Sequence, residues 1–233
     1  MDWLVDETHI SDTQISTSVR TMKVSGTRGK PGPPLAVRLH DVIVHNNKKW
    51  IDIFAGADIR VDIVAVQGNG LSGDAHSFYT PTTMRFSGVG DEDHLPIDES
   101  GLLAYYGWPK HFLNLAVLVS RDRKGSDDLA TMLRKEFTST DFGSAAAALL
   151  GLVVAAPAAG VVVGALAAAA TIGDIAHRVV AGAFGSTIGI YRGTKLAYPD
   201  DFGRGRNPSD GDTYRRGDFS FWFEVIDAGP PNT

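Results

Sequence analysis

"SAAAALLGLVVAAPAAGVVVGALAAAATIG", residues 144–173, holds thirteen Ala, four Gly and ten Leu, Ile or Val, and no charged side chain. Its length is enough to cross a bilayer, which takes about 20 apolar residues. Its hydrophobicity is weaker than its length. The best window, residues 149–168, contains nine Leu or Val. Together these contribute roughly −3 to −5 kcal/mol on an insertion scale, opposed by Pro157 and three glycines. Pro157 removes a backbone donor and clashes with the preceding turn, so it divides the stretch. The expectation is a helical hairpin, 144–156 and 158 to about 183. Three readings stay open: a hairpin buried in a soluble fold, a membrane segment stored and released on a trigger, and a constitutive span.

Gly160, Gly164 and Ala168 recur every four residues, which places them on one helix face where another backbone can approach closely. Under the membrane reading Leu149, Leu150, Val153, Val154, Val161, Val162, Val163 and Leu166 enter lipid. In composition alone, the hairpin resembles those of colicin-type pore-forming domains.

Outward from this stretch the chain turns to strand patterning. "LAVRLHDVIVH" (35–45) places Leu35, Val37 and Leu39 on one face, then slips phase at Asp41, which suggests a bulge. Strands are expected at 50–54 and 58–66. In the second, Ile59, Val61, Ile63 and Ala65 share a face opposite Arg60, Asp62, Val64 and Val66, as in a half-buried strand. Short strands follow at 78–80 and 82–87. "FLNLAVLVS" reads as a fully buried strand. "DDLATMLRKEF" has Leu129, Met132, Leu133 and Phe137 at helical spacing. After the hairpin, "STIGIYRGTKLAY" and "DFSFWFEVI" are two further strands, separated by a 19-residue loop of turn formers (199–217). Loops that long are usually functional or mobile. Residues 1–34, ending in "GTRGKPGPP", read as an arm and linker.

The 233 residues suffice for one large domain, and 43% apolar with 21% charged is ordinary for a globular chain. The net charge of −5 and the lack of a basic stretch with interleaved aromatics argue against nucleic acid as partner. There is no cysteine, so disulfides and thiol chemistry are excluded. "MDWLVDETHISD" is no secretory signal. The expectation is cytoplasmic synthesis without classical export, with membrane association or non-classical release open.

Three stretches resemble pieces of the C2 domain, the calcium- and phospholipid-binding β-sandwich. "IRVDIVAVQGNGLSGDAHSFY" (59–79) is similar to its first long strand and calcium loop. "LAVLVSRDRKGSDDL" (115–129) is similar to a later strand and loop, where Asp-x-Asp precedes another Asp by six residues. "DFSFWFEV" is usable as a closing strand. The resemblance implies a calcium site at Asp74, Asp122 and Asp128. Ser120 and Gln67 stand where the family has aspartates. Calcium takes six to eight oxygens, which clustered loop carboxylates supply. The competing reading is that Asp122, Asp127 and Asp128 cap the helix beginning near Leu129.

Other constellations are weaker. Asp210 and Asp212 suit a turn better than a metal. Asp91, Glu92, Asp93 and Asp98 form an acidic loop of the solvated kind. His40 and His45 are five apart, on opposite faces of a regular strand. No HExxH, phosphate-binding loop or Gly-x-Ser-x-Gly elbow occurs. Trp222 alternates out of the Phe219, Phe221, Phe223 face, to be covered by helices or to meet a partner.

The resulting expectation is a mainly β fold, an antiparallel C2-like or jelly-roll-like sandwich over 35–233, with an Ala/Gly-rich helical insertion at about 128–185. The expected function is a non-enzymatic membrane-interacting protein, pore-forming or effector-like, that docks or self-associates through the sandwich. Its partners are a phospholipid membrane and further copies of itself, and its one candidate cofactor is calcium. The alternative is a soluble binding or structural module with the hairpin buried in the fold or in a subunit interface. Third is an enzyme with a site among Asp74, His76 and the acidic loops.

Overall fold

The computed structural model describes residues 33–48, 56–68, 78–136, 138–154, 159–184, 187–197 and 200–229; for 150–154 and 159–162 only the backbone is described. Sheet A contains β1 (Leu35–Val44), β4 (Asp93–His94), β5 (Leu102–Gly107), β8 (Gly205–Asn207), β9 (Tyr214–Arg216) and β10 (Phe219–Asp227). Sheet B is β3 (Tyr79–Val89), β2 (Ala57–Gln67), β6 (Phe112–Arg121) and β7 (Thr187–Leu196), in that order. Every pairing described is antiparallel. Helices α1 (Leu129–Lys135), α2 (Thr140–Val154) and α3 (Ala159–Phe184) occupy the chain between β6 and β7.

The inner faces of the two sheets form one core. Strand β10 alternates Phe219, Phe221, Phe223 and Val225 inward, into the same cluster as Val37 and Leu39 of β1 and Ile59, Val61 and Ile63 of β2. A second core lies on the other face of sheet B. There Val64, Val66, Ala116 and Leu118 meet Leu129, Leu133, Phe142, Leu149, Ala169, Ile172 and Val180 of the helices. The central strands β2 and β6 are therefore buried on both faces, and β2 is not the half-exposed strand its alternation suggests. Arg60 and Asp62 are fully buried with the rest.

The phase slip at Asp41 is a bulge: Asp41 has φ 51° and the β1–β10 register shifts between His40 and Ile43. The two short strands expected at 78–87 are one, β3, running through Pro81. As an edge strand β3 tolerates the missing donor. Strand β5 was not expected. From residue 200 the long loop expected at 199–217 is structured, because β8 and β9 both pair with β10. The strand expected at 50–54 lies outside the described residues, as does the arm up to residue 32.

Candidate functional site

Helix α1 begins where Asp128 caps it. The Asp128 Oδ1 accepts from the Thr131 amide at 2.8 Å. That bond to the charged form holds the Asp128 carboxyl below the usual carboxylate range. Leu129, Met132 and Leu133 bury one face of the helix.

Helices α2 and α3 form an antiparallel hairpin. Arg178, late in α3, reaches Asp141 in the first turn of α2 at 3.1 Å. One face of α3 carries Ala165, Ala169, Ile172, Ala176 and Val180, all buried. The small residues let α3 lie close to sheet B: a methyl added at Gly173 would sit 3.7 Å from the Ala116 Cβ. Asp174 is paired with Arg192 of β7, which ties the same region to the sheet edge. Residues 142–173 hold no charge, so every charged group of the hairpin (Asp141, Asp174, Arg178) is at its root.

Among the expected lipid-facing residues, Leu149 is buried at 1% exposure, Leu166 is half-buried and Val163 is 45% exposed. Gly164 is exposed, and a methyl there would meet nothing within 4 Å. The close packing is made by the alanine face and not by Gly164. The side chains of Leu150, Val153, Val154, Val161 and Val162, and the surroundings of Gly160, lie outside the described residues. The stretch Val163–Phe184, with an 18-residue window of mean hydropathy 1.3 of which 44% is buried, is long and apolar enough to cross a membrane by length and composition alone.

The C-terminal end of α3 rests on a buried polar network. The Arg60 guanidinium lies 4.3 Å from the Phe184 ring centroid. It also donates to the Asp127 carbonyl at 3.0 Å and stands 3.7 Å from Asp122. Asp122 takes a second cation, Arg85, at 3.0 Å, and a hydrogen bond from the Ser126 hydroxyl at 2.7 Å. Of the expected calcium ligands, Asp122 thus sits among arginines, Asp128 caps a helix and Asp74 lies outside the described residues. Among the described residues no group of three or more His, Asp or Glu is gathered to hold a metal. Beside this network a groove of about 530 Å³ is lined by Arg123, Lys124, Lys135, Met132, Val179 and Phe184.

Trp222 is on the outer face of sheet A, where no described helix packs. It is stacked on His40 at 4.1 Å with 10° between planes, and Arg206 lies over the ring at 4.0 Å. The helices do not cover it. Sequence reasoning missed Arg60 and Asp62 as a buried pair, because alternation alone assigned them to solvent. It also separated His40 from His45. The bulge at Asp41 brings both to one face: His40 contacts Trp222 and Glu224, and His45 contacts Ser220. Applying the phase slip to the histidines as well as the apolar residues gives that placement.

Comparison with known proteins finds no matching family model, no matching curated protein and no matching solved structure.

Proposed function

We propose that this is a membrane-interacting protein whose α2–α3 hairpin enters lipid by its tip while its root stays packed on sheet B. The observation that carries this reading is the segregation of charge along the hairpin. From Asp174 back to Ala159 is about 22 Å of helix, and it is free of charge. Half of a hydrocarbon core is about 15 Å. Among the described side chains of α3, Ala165 is the first buried in the core, so the part outward of it, about 9 Å of helix, can reach part-way into the near leaflet without uprooting the core. Full insertion of α3 is disfavoured. It would carry Asp174 and Arg178 into lipid and strip Ile172, Ile175 and Val180 from sheet B. In this reading the helices are an insertion into a C2-like sandwich, which docks or self-associates. Calcium, to bind at Asp122, would have to displace Arg85 and Ser126 from its carboxylate.

The soluble-module alternative is favoured by the buried alanine face of α3, which belongs to the fold whatever the tip does. Flotation with zwitterionic and anionic vesicles, with and without calcium, separates the two. Wild type is expected to float. Leu150→Asp and Val162→Asp are expected to stay at the bottom while melting like wild type. Flotation that requires calcium would assign docking to Asp122 and Asp128. Wild type that never floats would overturn the membrane reading and select the soluble module.

A further inference from the structure

The outer face of sheet A holds a second arrangement, independent of the hairpin. We infer that Ser220, His45 and Glu92 form a nucleophile–base–orienter site able to cleave small acyl esters. The His45 Nε2 is 3.0 Å from the Ser220 Oγ, and its Nδ1 is 2.7 Å from the Glu92 Oε2. A carboxylate only accepts, so Nδ1 carries the proton and Nε2 is left to accept from the serine hydroxyl. This is the tautomer that a general base beside a serine needs.

Three elements converge to make it. His45 directly follows β1, and its amide donates to the Asp218 carbonyl at 2.8 Å, which fixes it beside the start of β10. Ser220 is the second residue of β10, and its neighbours Phe219 and Phe221 anchor it by facing the core. Glu92 lies in the turn between β3 and β4 with φ 59°, a left-handed conformation unusual for a glutamate. The same conformation occurs at Asp41, Lys48, Asp201 and Phe202, so at Glu92 it marks the turn and not by itself a site. Next to it, the Asp93 carboxylate accepts from the Gly90 amide at 2.6 Å and holds the turn.

Arg215 is the register partner of Ser220 across β9 and β10. Directly opposed residues share a face, and Arg215 is exposed. Its register position makes it the candidate to supply positive charge to a developing oxyanion on that face. Ser220 is only 4% exposed and the His45 side chain 13%, while the Glu92 side chain is 70% exposed, so the site opens to solvent at its Glu92 end. Nearby His40 makes the same kind of carboxylate contact, to Glu224 at 3.1 Å, but its ring is stacked on Trp222. It serves as an internal control.

The chemistry balances without a cofactor. The Ser220 oxygen attacks the ester carbonyl carbon as its proton passes to His45 Nε2. The carbon–alkoxide bond breaks and His45 returns the proton to the leaving alcohol. Water then attacks the acyl-serine, gives a proton to His45, and releases the carboxylic acid as Ser220 recovers its hydrogen.

The test is labelling of the folded protein with a fluorophosphonate, read by intact mass and peptide mapping, alongside hydrolysis of p-nitrophenyl acetate. One adduct at Ser220 is expected, absent in Ser220→Ala. Labelling of His45→Ala is expected to be about 100-fold slower or more. Arg215→Ala is expected to lose about 100-fold in ester turnover. His40→Ala is expected to label like wild type. Circular dichroism of each variant checks its fold. An unlabelled wild type, an adduct elsewhere, or a Ser220 labelling rate indifferent to His45 overturns the inference. None of these outcomes depends on whether the hairpin binds lipid.

Discussion

Arg60 and Asp62 stand two residues apart on β2, both with fully buried side chains, and meet in a two-pronged contact: Nε to Oδ2 at 2.6 Å and Nη2 to Oδ1 at 2.6 Å. The carboxylate also accepts from the Thr83 hydroxyl at 2.6 Å, and Thr83 in turn accepts from the Leu129 amide at 2.8 Å. Sheet B and the start of α1 are thereby joined through one buried charge pair. Neutralising Asp62 leaves Arg60 buried with only the Asp122 carboxylate at 3.7 Å and the Asp127 carbonyl to compensate its charge, and breaking a buried pair costs up to about 3–5 kcal/mol. Asp62→Asn is therefore expected to lower unfolding stability in urea by that amount. The double change Arg60→Met with Asp62→Leu is expected to be much milder, because no charge is stranded. A double variant as unstable as Asp62→Asn would contradict this account.

Two glycines are expected to respond in opposite directions. Gly164 is in a helix with open space around its missing side chain. Gly164→Ala should stabilise the protein by about 0.5–1 kcal/mol through helix propensity. Gly189 is at the start of β7, where the two sheets come together. A methyl there would be driven into the Arg216 carbonyl oxygen and the Phe219 ring. Gly189→Ala should destabilise by several kcal/mol or fail to fold, because backbone and core aromatic must both move. Thermal melts of the two variants check the pair.

Stability should fall as the solution is acidified below neutrality. Burial, and then the neighbouring Arg192, hold the His177 imidazole below its ordinary range, with Asp174 opposing; burial and Lys110 do the same to His111. The unfolded chain takes up these protons near pH 6.5, before the folded protein does. Protonation therefore favours unfolding, and stability drops as pH falls through 6.5 toward the lower folded values. The lowered carboxylates Asp98 and Asp128 act only in the acid range at and below their ordinary value of 3.8, so they do not obscure this window. The expected result is a Tm that declines between pH 7.5 and 5. The double variant His111→Asn with His177→Asn should flatten the slope, and a Tm that rises on acidification would reverse the sign.

The strands with a clean apolar run or alternation were legible in the sequence: β1 with its bulge, β2, β6, β7 and β10. The apolar stretch that carries α2 and α3 was visible as an uncharged run in the sequence. Burial on both faces of β2 was hidden. Arg60 and Asp62 share a strand face and pair there, but nothing local announces that the helices, far along the chain, cover that face. Strand β5 was hidden because "LLAYYG" is short and its pairing with β1 is set by tertiary contact. Strands β8 and β9 are three residues each and take their structure from β10. Ser220, His45 and Glu92 are far apart in sequence, and only the bulge and the β3–β4 turn bring them together.

The hairpin should show a gradient of stability from root to tip. Ile172 and Ile175 are 1% exposed and belong to the core shared with sheet B. Replacing either with Ala should cost about 2–5 kcal/mol, since the lost packing leaves a cavity between helix and sheet. Replacing the exposed Val163 with Ala should change stability by less than about 0.5 kcal/mol. Amide hydrogen exchange should follow the same order, with residues 172–180 opening near the global unfolding energy and the amides near Val163 exchanging through local opening. Urea melts and exchange mass spectrometry check both halves. Uniformly high protection out to Val163 would place the tip inside a closed structure, which is the opposite of what tip-first entry into lipid requires.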